Sequence, residues 1–129
     1  MQQVGAGIQI PPNSARLLHR WGVFKYLEPC AVKPDSMKFR RWEDGSVIGL
    51  TALDQEFATN FGSPFYVVHR ADFHTALHQR ATELGVKLRL NSKVVKYGAS
   101  SAFLEDGSVV RGDLIVGADG KIFPCLGFP

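Results

Sequence analysis

Apolar positions along the chain change their spacing from one stretch to the next, and each change predicts an element. The entry segment Gly5-Ala6-Gly7-Ile8-Gln9-Ile10-Pro11-Pro12 sets a glycine pair, a strand-like triplet and a double proline in sequence, which reads as turn-rich. Ala15, Leu17, Leu18 and Trp21 then fall on one side of a helix. Asn13 or Ser14 is placed to cap it and Gly22 to end it. A second short helix fits residues 23–27, closed by Pro29. Residues 37–42 alternate, Glu43-Asp44-Gly45-Ser46 turns, and residues 47–50 return, which predicts a hairpin. Residues 51–64 are polar, broken by Asn60, Gly62 and Pro64, and read as a loop.

Phe65-Tyr66-Val67-Val68 is a short apolar strand. Residues 71–84 carry the clearest helical spacing, with Phe73, Ala76, Leu77, Arg80, Ala81 and Leu84 in register before Gly85. Residues 86–90 alternate as a strand. Residues 93–97, 102–105 and 108–111 form a meander turned by Gly98-Ala99-Ser100 and Asp106-Gly107. Asp113-Leu114-Ile115-Val116-Gly117-Ala118 then reads as a buried strand that ends on Asp119-Gly120.

Composition narrows the classes. The chain has 129 residues, 45% of them hydrophobic and 21% charged, which suits one soluble globular domain and disfavours disorder, collagen and coiled coil. No apolar run approaches the ~18 residues of a membrane helix; the longest, Leu114 to Ala118, is of strand length. The N-terminus lacks the basic-then-apolar pattern of a secretory signal. Cys30 and Cys125 lie far apart with no C-x-x-C spacing, which predicts a reducing, cytoplasmic setting and no metal framework. The net charge is +3, but Lys38, Arg40, Arg41, Lys87, Arg89, Lys93 and Lys96 alternate with apolar residues, as on the solvated face of a sheet. Neither a nucleic acid nor a membrane is expected as partner.

Chemistry could reside in three places. Gly5-Ala6-Gly7 resembles the start of a dinucleotide-binding fingerprint, but position 10 is Ile and too few residues precede it for a strand, so a backbone-approach turn or a plain loop remains. Arg70 stands between an apolar strand and a helix, where a guanidinium and a helix N-terminus together suit a phosphate. The alternative is a surface ion pair with Asp72. Asp119-Gly120 follows the carboxyl end of an unbroken apolar strand, where open α/β sheets gather ligands; the alternative is an ordinary Asp-Gly turn. His74 and His78 have zinc-binding spacing but no Glu at position 75, and read as exposed helix residues. No serine sits in a G-x-S-x-G elbow, and the cysteines have no marked base.

Taken in order, GAGIQIPPNSARLLHRWG, YVVHRADFHTALHQRA and LEDGSVVRGDLIVGADG resemble the FAD-dependent aromatic hydroxylases, in particular the salicylate-hydroxylase-like monooxygenases, over nearly the whole chain. The resemblance implies that Ala6 or Gly7 lies near the flavin. It also implies that Arg70, opening the helix with Leu77 as its apolar partner, contacts FAD. Asp119-Gly120 would match the family motif tied to FAD and NAD(P)H, and the strand at Val94 would touch the adenine end through its backbone.

The chain also departs from the pattern. It starts after the family's G-x-G-x-x-G turn and ribose-binding carboxylate, stops before the downstream Gly-Asp-Ala motif, and continues beyond Gly120 as Lys121-Ile122-Phe123-Pro124-Cys125. An internal fragment is therefore expected, and the chain purified by itself is expected not to retain stoichiometric FAD. The implied fold is α/β: a partial glutathione-reductase-like, Rossmann-type FAD/NAD(P)-binding domain with a β-meander, from residues 1–30 and 69–129. Residues 31–68 would be an excursion into the substrate-domain sheet. The implied function is an NAD(P)H-dependent flavin monooxygenase acting on a small aromatic or phenolic substrate. The alternative is an inactive remnant or an interaction module built on that fold.

Overall fold

The structure, a computed structural model, describes residues 6–118. It divides into two compact units, Met1–Val86 and Lys87–Pro129, each considered by itself.

In the first unit, strand β1 (Gly7–Ile10) pairs antiparallel with β4 (Tyr66–His69), from Gly7 opposite His69 to Ile10 opposite Tyr66. Gly7 thus opens a strand and does not make the turn expected of the glycine pair. The alternation of β1 and β4 turns Ile10, Tyr66 and Val68 inward. There they pack with Ala15 and Leu18 of helix α1 (Pro12–Arg20), Phe24 and Leu27 of α2 (Phe24–Leu27), and Ala76 of α4 (Arg70–Glu83). Burying a side chain as completely as Ile10 or Leu27 contributes about 1.5–3 kcal/mol.

Helix α1 is not capped by Asn13 or Ser14. It begins at Pro12 behind an extended Pro11, because proline's missing N–H forfeits no helical bond at that place and its φ is already set. Asn13 Oδ1 accepts instead from the Ser14 N–H at 2.9 Å. The predicted hairpin is β2 (Ser36–Arg40) on β3 (Val47–Ala52), with a bulge between Phe39 and Arg40. Val32 adds a bridge to Val67, their amides and carbonyls exchanging bonds of 2.8 and 2.9 Å.

Residues 51–64 are not a loop throughout: they contain α3 (Gln55–Phe61). Asp54 Oδ1 accepts from the Phe57 N–H, Gly62 ends the helix at φ 73°, and the Phe57 and Phe61 rings meet at 4.6 Å. No residue of α3 is buried, so it lacks the apolar stripe by which a helix is recognised.

Helix α4 follows β4 without a connecting residue. Its C-terminal end is tied to α2 through Glu83, which accepts from Lys25 Nζ and Arg80 at 2.7 Å and from the Tyr26 hydroxyl at 2.9 Å. Arg80 Nε also donates to the Trp21 carbonyl at 2.7 Å. Leu84 lies beyond the helix and is exposed, so it does not close the predicted stripe.

The second unit is the predicted meander of β5 (Val94–Tyr97), β6 (Ser101–Leu104) and β7 (Val109–Arg111). Asp106 accepts from the Ser108 N–H at 2.8 Å, and Gly107 at φ 84° makes the turn into β7.

Two predicted strands are absent. Residues 86–90 and 113–118 carry no ladder, and Leu114 and Val116 are 80% and 76% exposed where burial was expected. A strand exists only with a partner to accept its amides, and among the described residues neither segment has one. The α/β class holds, but every described strand pair is antiparallel.

Candidate functional site

The antiparallel register of β1 on β4 brings together residues far apart in sequence. Gly7 lies opposite His69, and the Arg70 N–H donates to the Ala6 carbonyl at 3.1 Å. Ala6, Gly7 and Arg70 therefore form one corner, and all three are exposed. The direct passage from β4 into α4 makes Arg70 the first residue of that helix, with Asp72 in the same turn.

The corner differs in detail from a helix N-terminus that offers bare amides. The Arg70 N–H is committed to Ala6, and the Ala71 N–H donates to His69 Nδ1 at 3.3 Å. An anion arriving here would be met chiefly by the guanidinium. Among the described residues that guanidinium forms no ion pair, so the surface pairing with Asp72 is not made. A Cβ on Gly7 would meet only Val67 Cγ1, at an ordinary 3.9 Å. Internal packing thus does not demand glycine at position 7, and its bareness leaves the strand backbone open to close approach.

Val94 stands apart, in the second unit, as the half-buried first residue of β5 opposite Leu104. Beside it Lys93 Nζ pairs with Glu105 at 2.7 Å. Asp119 and Gly120 lie outside the described residues. His69 was not singled out from the sequence. Its signal was available in His69-Arg70-Ala71-Asp72, where a side-chain acceptor directly precedes a helix.

Among the described residues of the first unit, two hollows are well formed. One of about 370 Å³ is lined by Ile8 and Ile10 of β1, Leu17, Leu18 and Trp21 beside α1, and Phe73. The other, about 790 Å³, is floored by the stacked rings of His19 and Phe24 (3.9 Å) and by Tyr66, with Lys25, Glu28 and Lys33 around it. Its charges largely cancel, since Lys25 is held by Glu83.

The chain is 37% identical over 127 residues to 3-amino-4-hydroxybenzoate 2-monooxygenase PtmB3 of Streptomyces platensis, covering 90% of this chain and 30% of that protein. It is 36% identical to 3-hydroxybenzoate 6-hydroxylase 1 of Aquipseudomonas alcaligenes (92% and 31% covered) and 34% identical to FAD-dependent monooxygenase OpS4 of Beauveria bassiana (97% and 32%). Its homologues are FAD-dependent aromatic monooxygenases. The chain spans about a third of the length of these monooxygenases. No family model matches it. Among solved structures, 2-methyl-3-hydroxypyridine-5-carboxylic acid oxygenase superposes with a TM-score of 0.77 at 28% identity, over 92% of this chain and 30% of that one. Klebsiella pneumoniae HpxO, solved with FAD and uric acid, shares the fold at a TM-score of 0.72 and 22% identity.

Proposed function

We propose that the chain supplies part of the FAD-binding domain of an NAD(P)H-dependent monooxygenase that hydroxylates a small aromatic or phenolic compound. The observation that carries the reading is the corner of Ala6, Gly7 and Arg70. It joins a guanidinium that forms no ion pair among the described residues with a strand end that carries no bulky side chain, and these together suit the diphosphate end of FAD. Arg70 would hold an anionic oxygen by charge-assisted hydrogen bonds, and Ala6 and Gly7 would admit the flavin against the backbone. Val94, Asp119 and Gly120 complete the proposed set on the strength of the sequence resemblance. FAD, when bound, supplies the redox chemistry, taking reducing equivalents from NAD(P)H and activating dioxygen; the protein positions it and excludes water. On this reading residues 1–30 and 69–129 belong to a Rossmann-type FAD domain and residues 31–68 to the substrate domain. Cys30, a free thiol whose proton is retained more firmly through partial burial, suits a reducing cytoplasm.

The test is titration of the isotopically labelled chain with FAD, followed by NMR. Resonances of Ala6, Gly7 and the Arg70 side chain should move together. Arg70→Ala should weaken the binding by about one to two decades, the worth of a hydrogen bond to a charged group. The reading fails if these resonances stay still at millimolar FAD, or if Arg70→Ala binds as wild type does.

A further inference from the structure

The usual residues that cap a helix are Ser, Thr, Asp and Asn. Helix α4 is capped instead by His69, in an extended conformation (φ −71°, ψ 138°), through a bond from the Ala71 N–H to Nδ1. An imidazole that accepts at Nδ1 carries its proton on Nε2 and is neutral. The same residue lies opposite Gly7 across the ladder, and the next amide reaches Ala6. His69 is thus the hinge between the two strand ends of the corner and the helix that carries Arg70.

The chemistry of the cap matters because of its neighbour. An aspartate at position 69 would serve the helix equally well, but it would place a negative charge next to Arg70 and draw on the guanidinium. A neutral acceptor caps the helix and adds no negative charge of its own beside a guanidinium that forms no ion pair among the described residues. We propose that His69 is a positioning residue of the corner: its neutral imidazole fixes the first turn of α4, and with it Arg70, without competing for the arginine's charge. The proposal rests on the reading of this corner as a site for an anionic cofactor.

Three variants of the chain separate the parts. The Cα chemical shifts of residues 70–73 report the first helical turn, and FAD titration reports the corner. His69→Asn keeps a neutral acceptor and should preserve both. His69→Asp should preserve the turn yet weaken FAD binding about two- to fivefold, the effect of one exposed charge pair. His69→Ala should move the shifts towards coil values and weaken binding as well. In the wild type, ¹⁵N shifts of the ring should show the Nε2–H tautomer. The proposal is overturned if His69→Ala leaves the turn intact, if the ring is the Nδ1–H tautomer, or if His69→Asp binds FAD as tightly as His69→Asn. Should FAD leave the wild-type corner unmoved, the cofactor reading falls, and with it the charge argument. The Cα shifts and the tautomer then decide the cap alone.

Discussion

At Gly22 the backbone turns into the left-handed region, φ 72°, to lead the chain from α1 into α2. A Cβ there would sit 3.2 Å from Arg80 Nε, the nitrogen that donates to the Trp21 carbonyl. Gly22→Ala should therefore cost about 1–2 kcal/mol from the backbone alone, read by urea denaturation, with any displacement of Arg80 adding to it. This glycine was legible in the sequence as a helix end, since it follows the last apolar position of α1. The roles of Arg80 and His69 were not, because each depends on an atom brought close by folding: a carbonyl 59 residues away, and an amide whose helix starts one residue earlier than its periodicity suggests. Arg70 was found by residue type and place. Its bond to Ala6, 64 residues away in sequence, needed the register of β1 on β4.

Between elements, the decisive contact is Glu83, which joins the end of α4 to α2. Its bonds to Lys25, Arg80 and Tyr26 hold its carboxyl down to about 2, from an ordinary 4.5, while the same bond raises Lys25. A carboxylate whose folded value is depressed contributes stability that is complete above the unfolded value and is lost as pH falls through the folded one. The contribution should thus be full above pH 4.5 and disappear towards pH 2. Melting followed by circular dichroism should show wild type losing more over that interval than Glu83→Gln, whose side chain does not titrate there. Parallel pH curves for the two proteins would remove Glu83 as a clasp. Helix α1 was readable from its apolar face, and α4 from the spacing of its apolar residues although only Ala76 of them is buried; α3, which buries nothing, was hidden among polar residues and betrayed only by Asp54 and Gly62 at its ends.

For the molecule as a whole, alternation and apolarity predicted strands correctly wherever a partner lies nearby in the chain, as in the hairpin and the meander, and wrongly at residues 86–90 and 113–118. Side-chain pattern states what a strand would bury; it does not supply the neighbour that accepts its hydrogen bonds. The consequence of the second segment concerns how the chain behaves at high concentration. Leu114 and Val116 present apolar side chains to solvent on a segment whose backbone joins no ladder, the features by which separate copies zip together edge to edge. A lysine in such a stretch acts as a gatekeeper. Val116→Lys should raise the concentration at which light scattering first detects aggregates, with the melting temperature unchanged because the side chain it replaces is already in water. An unaltered onset would show that self-association, where it occurs, starts from some other surface.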